Sequence, residues 1–358
     1  MRITFLLPFA GTAGGTRVVA TYADLFQSRG HTVTVVSTPR PDPGLKKKIR
    51  SFLTGKGWHK PLGPSHLAKT KVDHRIIDRY RPITDADVPD ADVVIATWWE
   101  TAEWVAKLSS SKGKKIYFCQ HHEVVFDGQP VDRVAATWRL PMQKIVCAQW
   151  LADVARDEYN DPTAICVMNS VEHNLFHAPP RSKQPQPTVG LMYSAARFKG
   201  CDIALASFTL ARQSVPNLKL IAFGAGQPSP DLPLPAGADF HHNPPQEKIR
   251  ELYAAADAWL VVSRCEGFGM PILEAMACRT PVIATPTGAA PQIVNSTNGL
   301  LVKLEDPTSV AHAITHIAMM NDTSWRAMSE SAHATAAKYT WESATQKFES
   351  ALTQFLSK

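Results

Sequence analysis

The sequence predicts an α/β protein made of two doubly wound parallel sheets facing each other across a cleft. Three observations carry that prediction. The chain has 358 residues, too many for one comfortable core. Short β-branched runs alternate with stretches of helical spacing, the pattern of a parallel sheet joined by crossover helices. The alternation halts at a proline-rich polar stretch, residues 177–188, and then starts again.

In the first half, residues 2–8 form an apolar run and read as the first core strand. Although the segment 1–10 is apolar, it is short and lacks a cleavage-like site, so a signal peptide is the weaker reading. Residues 11–15 make a glycine-rich turn. Val18, Val19, Tyr22, Leu25 and Phe26 then repeat at helical spacing over 16–29, and Gly30 stops the helix. The β-branched run 32–37 predicts the next strand, and further strands are predicted at 92–96, 115–120 and 144–147, with helical patterns between them.

Residues 177–188 are expected to be a linker, because prolines and polar side chains cannot fill a core. Beyond them, strands are predicted at 189–193, 218–223, 258–262 and 281–284, and helices at 202–213, 246–255, 271–278 and 307–320. Residues 341–356 read as one more helix. The expected domains are therefore 1–176 and 189–338, with a final segment 339–358 that can return to the first domain.

Composition narrows the class. The chain is 44% hydrophobic and 20% charged, as in an ordinary soluble globular protein. No apolar run approaches the ~20 residues of a membrane-spanning helix. The six cysteines show no CxxC pair or regular spacing; most sit in apolar segments and read as buried free thiols in a reducing cytoplasm. Net charge is +6, but between Leu45 and Arg75 nine Lys or Arg face one Asp, so that segment holds +8 and the remainder sums to −2. The basic character is thus local, which argues against a general nucleic-acid-binding surface. Leu45, Ile49, Phe52 and Leu53 share one helical face among those lysines, and such a stretch can lie on an anionic membrane surface.

Most of the chemistry is expected around Glu266, Gly267, Phe268, Gly269, Met270, Pro271 and Glu274. A glycine-rich loop opens directly into a helix there, and Pro271 suits the first helical position. Phe268, Gly269 and Met270 offer backbone N–H groups at the positive end of that helix, a site for an anion. Glu266 and Glu274 are eight positions apart, about 12 Å along a continuous helix. The carboxylates of a glycoside hydrolase stand roughly 5–9.5 Å apart across one bond, so binding suits this pair better. Gly14 and Gly15 with Arg17 follow the first strand but do not form G-x-G-x-x-G, so a dinucleotide fingerprint is not supported. His121, His122 and Glu123 follow a strand end, as do Trp98 and Trp99. On an extended chain adjacent side chains point opposite ways, so only one histidine should face a ligand. No third ligand stands at useful spacing for a metal.

The 266–277 stretch resembles the E-x7-E signature of family-four retaining glycosyltransferases (glycosyl transferases group 1, GT-B fold). The resemblance extends from Gly14–Arg17 to the Trp341–Glu342 pair and is strongest between 252 and 301. It implies two Rossmann-like domains, the first binding an acceptor and the second a nucleotide-diphosphate sugar. It gives Glu266 the hydroxyls of the transferred sugar, Glu274 the ribose, and Lys199 the diphosphate, with Gly267, Phe268, Gly269 and Met270 flanking both. Gly14, Gly15 and Arg17 would approach the donor. The family usually has an Arg where Ser194 stands, and Arg197 is placed to compensate. A histidine near the anomeric centre is expected at His121, with His122 and Gln120 as rivals; His121, His122 and Glu266 form the expected catalytic set. Trp98, Trp99 and Glu123 are expected on the acceptor side. No D-x-D metal motif sits at a strand end in the expected way, so the resemblance implies neither metal nor other cofactor, with the sugar nucleotide as co-substrate. It also implies a glycan or lipid-linked acceptor and a cytoplasmic place, peripheral on the inner face of the membrane. Ser194, Gln120 and Gln292 depart from the family pattern and leave open a sugar-nucleotide-binding module without transfer. An epimerase or phosphorylase of the same fold is also left open.

Overall fold

The computed structural model describes residues 1–40 and 65–357. Most of the basic stretch 45–75, including its predicted amphipathic face, lies outside the described residues. By its contacts the chain divides into two units. One is Met1–Cys147 with Ala152–Val167 and Thr345–Lys358; the other is Ala148–Leu151 with Met168–Ala344.

The first unit carries a parallel sheet of β1 (Arg2–Leu7), β2 (Thr32–Ser37), β3 (Asp73–Ile76), β4 (Val93–Ala96), β5 (Lys114–Cys119), β6 (Gln143–Val146) and β7 (Ile165–Cys166). Its order is β3-β2-β1-β4-β5-β6-β7. Register runs Phe5 to Val35 on one side of β1 and Phe5 to Ile95 on the other. The strand order reverses beside β1, so the loops leaving β1 and β4 diverge there, the place where open α/β sheets bind ligands. Helix α1 (Gly14–Ser28) follows β1, α2 (Trp99–Lys107) follows β4, and α3 (Val131–Thr137) and α4 (Gln149–Tyr159) complete the crossovers. The core under α1 is aromatic. Tyr22 meets Phe118 at 5.7 Å and Phe348 at 4.9 Å, edge to face in both cases. Phe348 belongs to the terminal helix, whose residues from Thr345 onward lie in this unit. There Glu349 accepts from Arg29 Nε at 2.8 Å and pairs with His31 Nε2 at 2.7 Å.

The second unit carries β8 (Thr188–Met192), β9 (Lys219–Gly224), β10 (Asp239–His242), β11 (Ala258–Val261), β12 (Val282–Ala284) and β13 (Gly299–Leu301), again all parallel, in the order β10-β9-β8-β11-β12-β13. Its switch point lies between β8 and β11, where Leu191 pairs with Leu260. The loops leaving these two strands hold Lys199 and Glu266. The helices are α5 (Cys201–Ser214), α6 (Gln246–Ala254), α7 (Met270–Ala277), α8 (Ala290–Ile293), α9 (Pro307–Met319) and α10 (Asp322–Ala336), before α11 (Trp341–Leu356).

One expectation is corrected here. Residues 177–188 are not a free linker. Arg181 donates to the Ala256 carbonyl at 2.6 Å and stacks over Trp325, and Lys183 Nζ caps the carbonyls of Ala318 and Met320. The Gln184 and Thr188 amides both donate to buried Asp257, at 2.8 and 2.9 Å. Prolines remove donors but do not prevent docking through side chains, and the contact boundary falls earlier, between Val167 and Met168. The cysteines are all free and most are buried, as expected, with Cys166 and Cys265 half-buried. Helix α10 was not foreseen. Its polar composition hides an inward row of Trp325, Met328, Ala332 and Ala336, and Asn321 caps it by accepting from the Ser324 amide at 2.8 Å.

Candidate active site

In the second unit the chain leaves β11 and turns through Ser263–Gly269 into α7. Ser263 Oγ donates to Glu266 Oε1 at 2.7 Å, and Lys199 Nζ reaches the same carboxylate at 2.8 and 3.0 Å. Glu266 is buried, at 7% exposure. Lys199 comes from a short 3₁₀ turn, Arg197–Lys199, after β8. Gly200 lets that turn pass. It lies at φ +65°, and a Cβ there would sit 2.0 Å from the Val262 carbonyl oxygen. Gly200 is therefore required by both backbone conformation and close approach. The sequence assigns Lys199 and Glu266 to different parts of a ligand; in the structure they bind each other.

Gly269, at φ +91°, caps α7 and turns the loop into the helix. Met270 is the first helical residue and Pro271 the second, one position later than predicted for the proline. Phe268 is buried, and its carbonyl accepts from the Ala289 amide at 2.8 Å. The Gly267 carbonyl accepts from the indole of Trp150 at 2.8 Å. One turn into α7, Glu274 is 6% exposed and accepts from Tyr253 Oη at 2.8 Å. The two carboxylates thus bracket the glycine loop, each in contact with buried partners. The Ser194 amide donates to Cys201 Sγ at 3.1 Å and its hydroxyl accepts from the Ala196 amide at 3.2 Å, whereas Arg197 is exposed. Sequence reasoning missed Ser263, Tyr253, Trp150 and Arg264. The available signal was polar side chains three and two positions before Glu266, in a stretch otherwise apolar.

In the first unit, Gly14 and Gly15 are the first residues of α1 instead of part of the preceding turn. A Cβ on Gly15 would lie 3.4 Å from Gln120 Oε1, an ordinary contact, so the helix start lies beside the end of β5 without space demanding glycine there. Arg17 is half-buried in the first turn. His121 is half-buried, with Nδ1 3.2 Å from the His122 carbonyl and its ring 4.6 Å from that of Phe126. A carbonyl only accepts, so in this contact Nδ1 is the donor. Phe126 stacks on half-buried Trp98 at 5.9 Å.

Three assignments near this loop are corrected. His122 is 7% exposed, with Nε2 2.8 Å from Tyr159 Oη and its ring edge-on to Trp138. Burial lowers its pKa, against an opposing pull from Glu158, which keeps it a neutral core side chain. Glu123 is 1% exposed beneath the loop, where Tyr117 Oη donates to it at 3.2 Å, so it presents no acceptor surface. Trp99 is buried in α2, its indole donating to Gln129 Oε1 at 2.9 Å and its ring under Arg133. Strand-end position suggested exposure for all three; the 3₁₀ turn Glu123–Val125 and the start of α2 fold them inward. Among the described residues no group of three His, Cys, Asp or Glu could hold a metal ion.

Two parallel sheets with ligand-type loops at their switch points define a GT-B architecture. Residues 187–319 match the family model described as Glycosyl transferases group 1. The chain is 41% identical over 103 residues to D-inositol 3-phosphate glycosyltransferase of Corynebacterium jeikeium, covering 28% of this chain and 24% of that protein. It is 38% identical over 103 residues to O-antigen chain mannosyltransferase B of Escherichia coli, covering 28% and 26%. The matches thus span about a quarter of those relatives' length. The fold is shared over nearly the full chain with Anabaena Alr3699/HepE, solved in complex with UDP-glucose. That likeness has a TM-score of 0.72 and 18% identity, over 99% of this chain and 100% of that one. Residues 187–319 are therefore similar to glycosyl transferases group 1, and the chain has a two-sheet GT-B fold.

Proposed function

We propose that this protein is a glycosyltransferase that moves a sugar from a nucleotide-diphosphate sugar to a glycan or lipid-linked acceptor, with retention of configuration and without a metal ion. The observation that carries the reading is the cluster of half-buried Lys199 with buried Glu266 and Ser263 at the entrance of α7, with Glu274 held by Tyr253 one turn further on. Lys199 is a mobile point charge suited to a diphosphate. Glu266 is suited to sugar hydroxyls and Glu274 to a ribose. The resemblance supports these roles, as does the UDP-glucose complex of Anabaena HepE.

In the proposed reaction the bond from the anomeric carbon to the diphosphate oxygen breaks, and the acceptor oxygen bonds on the same face. The acceptor proton passes to the departing phosphate oxygen, so no protein nucleophile is needed. Lys199 and the amides at the start of α7 oppose the charge that grows on the diphosphate, and preorganised donors of this kind usually supply the largest catalytic term. His121 shapes and polarises the site near the anomeric centre and is not required as a general base. Trp98, beside Phe126, offers an aromatic edge for an apolar or sugar acceptor.

A thermal-shift screen against UDP-, GDP-, ADP- and dTDP-sugars tests the reading. One nucleotide class should stabilise the protein clearly, and Glu274→Ala should remove most of that shift. A variant that responds like the parent would remove the ribose assignment. With the donor identified, proton NMR of the product should show the donor's anomeric configuration, and EDTA should leave the rate unchanged. Donor binding without transfer or slow hydrolysis would favour a binding module instead.

A further inference from the structure

Arg264 lies two residues before Glu266, and its side chain is the most heavily bonded in the loop. Nε donates to Glu305 Oε1 at 2.7 Å. Nη1 donates to Asp202 Oδ1 at 2.8 Å and to the Arg197 carbonyl at 2.7 Å, and Nη2 donates to Asp202 Oδ2 at 2.7 Å. Its own amide donates to the Phe198 carbonyl at 2.8 Å, and the Cys265 amide reaches the same oxygen at 3.4 Å. One guanidinium thus ties together three segments: the Arg197–Lys199 turn, the first turn of α5 at Asp202, and the loop before α9 at Glu305. Glu305 reaches it from a left-handed backbone, φ +53°, which non-glycine residues seldom adopt. The two strands of this zipper end in Lys199 and Glu266. The planar fork of an arginine can hold a carboxylate with two bonds while its remaining N–H groups hold other acceptors; an ammonium cannot.

We propose that Arg264 is a positioning residue of the donor site, fixing the Lys199 turn against the Glu266 loop and thereby setting how tightly a nucleoside diphosphate is gripped. This inference rests on the donor-site reading above. Arg264 has no contact with the ligand in this account and acts through Lys199. Its guanidinium is 18% exposed, whereas Asp202 and Glu305 are about half exposed, so the network adds little to stability compared with its effect on geometry.

The test is a double-mutant cycle read by calorimetric binding of whichever of UDP, GDP, ADP and dTDP binds the parent best. Arg264→Met should weaken that binding about tenfold, and Arg264→Lys should not rescue it. In a Lys199→Met background, Arg264→Met should cost less than about threefold further, because residues acting through one another are not additive. Rescue by lysine, or an additive cycle, would overturn the proposal and leave Arg264 as a surface charge or a stabilising contact. Should Arg264→Met fail to melt cooperatively, Asp202→Asn carries the test, since it loosens the fork from the exposed side. It should weaken binding about threefold in the parent background and not in Lys199→Met; unchanged binding in the parent would equally overturn the proposal. If the parent binds none of the four nucleotides, the donor-site reading itself fails and takes this inference with it, an outcome distinct from a parent that binds and variants that bind equally well.

Discussion

Glu123 shows how a single carboxyl can be read wrongly from its neighbours. It follows two histidines at a strand end, yet it sits under the loop with Tyr117 as its hydrogen-bond donor. Burial pushes its pKa up to about 8, against the pull of its own backbone amide and of Tyr117. The protonated acid is therefore the native form near neutral pH. The folded state keeps its proton while the unfolded chain releases one from its ordinary value of 4.5 upward. The native state then binds more protons, so stability is highest below about pH 4.5 and falls as pH rises toward 8. Glu123→Gln preserves an acceptor for Tyr117 and cannot ionise. Melting curves should show the variant close to the parent at pH 5 and more stable by a few degrees at pH 8; parallel curves across that range would remove the buried-acid account. At the same scale, the partly exposed Lys199 explains how the Glu266 carboxylate stays buried at the mouth of α7: the ammonium pairs with it, and Ser263 satisfies a further lone pair.

At the scale of elements, the strap at 177–188 stands out, because hydrogen bonding and not apolar contact docks it. Asp257, at the start of β11, is 1% exposed and accepts from the amides of both Gln184 and Thr188. Arg181 fills the next site between the Ala256 carbonyl, Thr280 Oγ1 and the ring of Trp325, which is itself fully buried. Asp257→Ala would strand two amides and loosen the entry to β8. Denaturant unfolding should register a loss of about 2–4 kcal/mol, the range for orphaning buried donors of a charged acceptor. A loss within about 0.5 kcal/mol, the range of an ordinary surface change, would mean that the strap is held elsewhere. The same element logic governs α7. Its glycine cap turns the chain sharply after Phe268, Pro271 has no amide hydrogen to satisfy, and the Ile272 amide donates back to the Gly269 carbonyl at 3.0 Å.

For the molecule as a whole, the charge pattern makes a prediction that the sheets do not. Lys46, Lys47 and Lys48 carry part of the local +8, which is the sequence's argument for docking to an anionic surface. Changing all three to Glu should abolish sedimentation with phosphatidylglycerol vesicles at low salt; unchanged sedimentation would remove the membrane proposal. Among the described residues no helix is long and apolar enough to cross a membrane. Much of the architecture was legible in the chain. The β-branched run Thr32–Ser37 and the helices Pro307–Met319 and Trp341–Leu356 fall within a residue of their predicted bounds, because their periodicity comes from neighbours a few positions away. The glycine loop before α7 was legible for the same reason: glycine and proline act on their own backbone. Side-chain partnerships were not legible. Lys199 finds Glu266 across 67 positions, and Arg181 finds Thr280 across 99, through a strand order that puts β8 beside β11 and β12 next to it. Local spacing along the chain sets which segments become strands and helices and where the backbone turns. Which polar groups are buried together follows from the folded arrangement alone, because it depends on which distant loops the sheet brings to the same edge.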